Sequence, residues 1–127
     1  MTVAANPHRG EISVTLEGVA YTLRPSFEAI VEIEQKLGTS IVAVVNRAFK
    51  QEDVRVTDMG VIVAAGIRAH GREVEDKSLA NVSDQKIAQL CWAEGLTAII
   101  PPVAEFLLLA INGGKSGNGE SGAADAA

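Results

Sequence analysis

Cys91, His8 and His70 are the side chains of this 127-residue chain best suited to ligate a metal or attack an electrophile. They do not stand at ligand spacing from one another, and a closed zinc site needs four ligands. The single cysteine cannot form an internal disulfide, and it fits a reducing compartment. Neither histidine lies at motif distance from a nucleophile. His70, flanked by Arg68 and Arg72 near the expected end of a helix, reads as part of a cation cluster favoured by the helix macrodipole. Cys91-Trp92 reads as a small apolar residue beside a half-buried indole.

Two glycine motifs fail on context. Gly117-Asn118-Gly119-Glu120-Ser121-Gly122 satisfies G-x-G-x-x-G, but a dinucleotide site needs a strand before it and a helix after it. Gly114-Lys115-Ser116 resembles the end of a P-loop, yet Leu109 stands where the first glycine belongs. Glu28, Glu32 and Lys36 recur every four residues and form a solvated helix face. Asn81-Val82-Ser83 matches a glycosylation sequon, which has meaning only in a secreted protein. No enzyme reading survives, and the sequence calls for no catalytic residue, metal or cofactor.

Eleven Lys and Arg against sixteen Asp and Glu give a net charge of -5. Dispersed cations on an acidic chain disfavour binding to a phosphate backbone. The most apolar stretch, Leu96 to Ile111, is interrupted by Pro101, Pro102 and Glu105, and falls short of the roughly 20 residues that cross a bilayer. The opening residues lack the apolar run of a signal peptide. A soluble, cytoplasmic protein without nucleic-acid or membrane partners is expected.

With hydrophobic residues at 47% and charged residues at 21%, most of the chain has the composition of a core-former. Ile12, Val14 and Leu16 alternate with polar residues, and Val19, Tyr21 and Leu23 alternate with Ala20, Thr22 and Arg24. Glu17-Gly18 between them predicts a tight hairpin. After Pro25 the period becomes helical. Ser26 caps a first helix with Phe27, Ile30, Val31 and Leu37 inward, ended by Gly38. Ser40 caps a second, with Ile41, Val44, Val45, Ala48 and Phe49 inward. Thr57 and Asp58 introduce a third, from Met59 to about His70, closed by Gly71. Its apolar centre could also form a buried strand, but the cap, Gly71 and a length of about 12 residues favour helix. A charged connection leads to a helix from Ser83 to Glu94, with Ile87, Leu90 and Cys91 inward. Pro101-Pro102 should kink or restart the segment beyond Gly95.

The expected fold is α+β and mostly α: an N-terminal β-hairpin, then a bundle of four or five short helices. Residues 8-111 form one domain. Residues 112-127 hold five glycines and no apolar side chain larger than Ala, so a flexible tail is expected there. In the last helix Phe106, Leu107, Leu108, Leu109 and Ile111 point around almost the whole circumference. Either that helix is central, or Phe106, Leu108, Leu109 and Ile111 form part of a partner-binding or self-associating surface.

Asn6-Pro7-His8-Arg9-Gly10-Glu11, the hairpin ending Tyr21-Thr22-Leu23-Arg24, then Ser26-Phe27-Glu28-Ala29, Glu32-Ile33-Glu34 and Leu37-Gly38 carry a resemblance. Together with Ala64-Ala65-Gly66-Ile67-Arg68, they resemble the small tail-assembly proteins of gene transfer agents and related phages. The similarity extends over residues 6-111 and is strongest over 6-38. It implies a tail assembly chaperone that coats the tape measure protein and helps tail-tube subunits polymerise around it. Such a protein is no catalyst and is absent from the finished particle. Pro101-Pro102 and the glycine-rich tail depart from the pattern. The competing readings are a structural component retained in the particle, such as a tube subunit, and a small nucleic-acid-binding regulator acting through Arg68 and Arg72.

Overall fold

The computed structural model describes residues 10–114. His8, the glycine-rich match at Gly117–Gly122 and nearly all of the expected tail lie outside the described residues. Two strands, β1 (Ile12–Leu16) and β2 (Val19–Leu23), pair antiparallel with Leu16 opposite Val19 and Ile12 opposite Leu23. Glu17 (φ 50°) and Gly18 (φ 82°) turn the chain between them. Positive φ at both turn residues matches the twist of a two-residue hairpin. Val14, Leu16 and Leu23 bury the inner face as the alternation predicted, whereas in β2 Tyr21 is only half-buried and Thr22 is buried as well.

Six helices follow: α1 (Phe27–Leu37), α2 (Ile41–Lys50), α3 (Val56–Glu73), α4 (Lys77–Ala80), α5 (Asp84–Glu94) and α6 (Leu96–Ile111). The α+β, mostly α architecture stands. The additional helix is α4, a single turn inside the charged connection, capped by the Asp76 carboxylate accepting the Leu79 N–H. Ser26 and Ser40 cap as expected, accepting the N–H groups of Ala29 and Ala43, and Ser83, expected as the first residue of its helix, is the cap of α5 and accepts from Lys86.

Helix α3 is the axis of the molecule, packed against α5, α4, α1, β2 and α6. It starts earlier and ends later than its sequence signals suggest. Gly71 does not terminate it. A Cβ there would lie 2.4 Å from the Ala80 nitrogen, so this glycine admits α4 at close range. Gly60 does the same for α5, where a Cβ would stand 2.5 Å from the Ala88 Cβ. Gly66 faces β2, and its carbonyl also accepts the Arg24 N–H at 3.1 Å. Small residues on one helix thus let three elements approach its backbone.

The inward stripe of α1 is rotated from expectation, and that of α2 stands except at Phe49. In α1 the buried pair is Ala29 and Ile33, while Phe27 is 81% exposed. Phe27 stands two residues, about 200° of helix, from Ala29, so it faces solvent. In α2 Val44, Val45 and Ala48 are buried but Phe49 is exposed.

Helix α6 runs unbroken through Pro101-Pro102 and does not restart there. The prolines leave the carbonyls of Thr97 and Ala98 without an intrahelical donor. Both residues are exposed, where water can take the bond. Burial of Ile99, Val103, Phe106 and Leu107 offsets the cost of two interior prolines.

Candidate functional site

The expected cation cluster around His70 does not form. His70 is buried, and its Nδ1 has no hydrogen-bond partner. Arg72 is exposed and Arg68 turns toward α1 and α5. Residues two apart on a helix point about 200° from each other, so His70 faces the core, away from the side of α3 that carries Arg68 and Arg72.

Arg68 instead anchors a polar network. Its guanidinium donates to the Glu32 carboxylate, to Asp84 Oδ1 at 2.9 Å and to the Val82 carbonyl at 2.7 Å. Lys36 completes the group, 2.9 Å from Glu32 Oε2 and 2.7 Å from Asp84 Oδ2. Burial raises the Asp84 pKa, but hydrogen bonds and charge from Lys36 and Arg68 outweigh it and leave the carboxyl below its ordinary value. For Lys36, burial lowers the pKa, and the hydrogen bonds to Asp84 and Glu32 with their charges raise it overall. Glu32 and Lys36 are therefore part of a clamp joining α1, α3 and α5, not simply a solvated face. At the base of the hairpin Arg24 pairs with buried Glu11 at 3.4 Å.

Cys91 lies in the core, where desolvation pushes its thiol up to about 11. A thiol kept protonated is a poor nucleophile. Trp92 is 72% exposed, not half-buried. Among the described residues, no group of three or more His, Cys, Asp and Glu side chains is placed to hold a metal ion. Nor is any described helix long and apolar enough to cross a membrane.

What the surface does offer is apolar. Of the four α6 residues singled out from sequence, Phe106 and Leu109 are buried and Leu108 and Ile111 are exposed, Leu108 at 40%. The exposed stripe of α6 runs through Ala98, Pro101, Glu105 and Leu108. Helix α2 packs alongside α6 and holds Val42 and Phe49 outward. On α5, Trp92 borders an open groove of about 590 Å³, with Val56 and Thr57 of α3, Lys86 and Gln89 of α5 and Glu17 of the hairpin turn in its lining. Glu94 fixes that turn by accepting the Glu17 N–H at 2.7 Å.

Sequence reasoning missed Phe27, Phe49 and Trp92 as surface residues. The Ile87–Cys91 spacing carried the signal for Trp92, because it fixes the buried face of α5 and leaves the indole about 100° away.

Residues 9–113 match the family described as phage tail tube protein, GTA-gp10. The chain belongs to this family. No curated protein and no solved structure matches it. The match establishes a phage or gene transfer agent tail protein, as the residues over 6-38 suggested. Its description names a tail tube protein and not an assembly chaperone, and so agrees with the structural alternative at that finer level.

Proposed function

We propose that this tail protein works without catalysis, in the cytoplasm, as a chaperone of tail assembly that binds the tape measure protein and assists tube subunits. The observation that carries the reading is a set of large apolar side chains held outside a core that is already closed. Phe106, Leu107 and Val103 complete the interior without a partner, while Phe27, Val42, Phe49, Trp92 and Leu108 remain at the surface on four helices. Spaced apolar contacts of this kind suit an amphipathic helical client, which presents anchors along one stripe. The net charge of -5 keeps an empty copy soluble. Nucleic acid does not enter the reading: the net charge is -5, and Arg68, half of the Arg68–Arg72 pair that a regulator would use, is engaged by Glu32 and Asp84.

A second reading, a subunit retained in the tail tube, is favoured by the family's description. It would use the same apolar surface for contacts between copies.

Co-expression with the tape measure protein followed by pull-down tests the first reading. Co-purification is expected, with at least about tenfold weaker capture, equal to about 1.4 kcal/mol, for Trp92→Ser or Phe49→Ser at an unchanged melting temperature. Failure of the wild-type chain to co-purify contradicts it.

A further inference from the structure

Gly95 alone separates α5 from α6, at φ 104° and ψ 122°. L side chains strongly disfavour that conformation. No atom lies within 4 Å of where a Cβ would stand, so it is the backbone angle and not lack of space that demands glycine. The hydrogen-bond ladders of both helices meet at this residue. Its N–H donates to the Cys91 and Trp92 carbonyls, and its own carbonyl accepts from Ala98 and Ile99. A change in the backbone angles of this single residue would therefore join α5 and α6 into one continuous helix.

The two sides of the junction are held very differently. Helix α5 is fixed to the body through Asp84 in the Arg68 network and through Glu94 at the hairpin turn. Helix α6 is held by apolar packing against α2, β1, α5 and α3, and Glu105 is its one charged residue. If α6 swings away, it leaves a trough shaped for Ile99, Val103, Phe106 and Leu107. Its ideal occupant is the same helix from another molecule. The residues after α6, 112-127, carry only small or polar side chains and present no bulk to thread.

We propose that Gly95 is a hinge through which α6 exchanges between two copies of this chain. Reciprocal exchange restores every core contact and gives a two-fold dimer, whereas head-to-tail exchange propagates an open assembly.

Gly95→Ala penalises the positive-φ junction and favours the straight helix. By size exclusion with light scattering across a concentration series, it is expected to raise the association constant at least about tenfold, equal to about 1.4 kcal/mol. Wild-type helicity and protection of the α6 amides from hydrogen exchange should be retained. Two glycines inserted after Gly95 ease the return of α6 within one copy and are expected to keep the chain monomeric. A monomeric Gly95→Ala protein of native helicity overturns the proposal. So do oligomers whose α6 amides exchange freely, or equal oligomerisation of the insertion variant. If Gly95→Ala fails to fold, the wild type decides. Held at millimolar concentration just below its melting temperature and then diluted, it should contain a slowly dissociating dimer of native helicity. Absence of that dimer also overturns the proposal.

Discussion

One guanidinium, that of Arg68, ties α3 to Glu32 of α1 and to Asp84 and Val82 at the start of α5. Arg68→Met would leave two partly buried carboxylates sharing only Lys36. A loss of about 1–3 kcal/mol is expected in urea denaturation, with a coupling to Asp84→Asn visible in a double-mutant cycle. The network also sets a pH signature. The folded-state pKa of Asp84 lies below its ordinary value of 3.8. Its contribution is therefore full above that value and is lost as the pH falls through the folded one. Lys36, raised above 10.5, contributes fully below that value and loses its contribution as the pH rises through the folded one. Asp84→Asn should accordingly flatten the acid limb of the stability curve below about pH 4, read from urea midpoints across that range. The local half of this cluster was legible in the sequence, since Glu32 and Lys36 stand at i,i+4 spacing. Its reach to Arg68 and Asp84 was not, because nothing in a linear pattern states which face of α3 meets which face of α1.

At the scale of the elements, the period-two alternation of the hairpin, the Glu17-Gly18 turn and the serine caps were readable because each rests on interactions within a few residues. The buried face of α1 was less so, and in α2 the reading held at Val44, Val45 and Ala48 but not at Phe49. Phe27 and Phe49 are apolar enough to join a core, and only tertiary packing against α3 and α6 decides that they do not. The same ambiguity split the α6 surface. A serine scan of that helix should now divide cleanly. Phe106→Ser and Leu107→Ser each place a hydroxyl in a fully buried site and are expected to cost about 3–5 kcal/mol. Leu108→Ser should stay within about 0.5–1 kcal/mol, because its side chain already meets water. Thermal melts of the three variants check this. Unfolding by Leu108→Ser would mean that the outer face of α6 is covered.

For the whole molecule, the sequence excluded more chemistry than it identified, and the tail relationship rested on the motif-rich opening of the chain, not on any physical signature of assembly. Apolar periodicity says that a helix has a partner but not whether the partner is another helix of the same chain. That is why a closed core with apolar residues left outside it became visible only in the fold. The central claim is that this surface serves other tail proteins during assembly and that the chain then leaves. Quantitative mass spectrometry of purified, tailed particles tests it most directly, with cell extracts from the same culture as the reference. Abundant chain is expected in the extracts and none above background in the particles. A fixed, multi-copy stoichiometry in the finished tail would contradict it and make the protein a subunit of the tube.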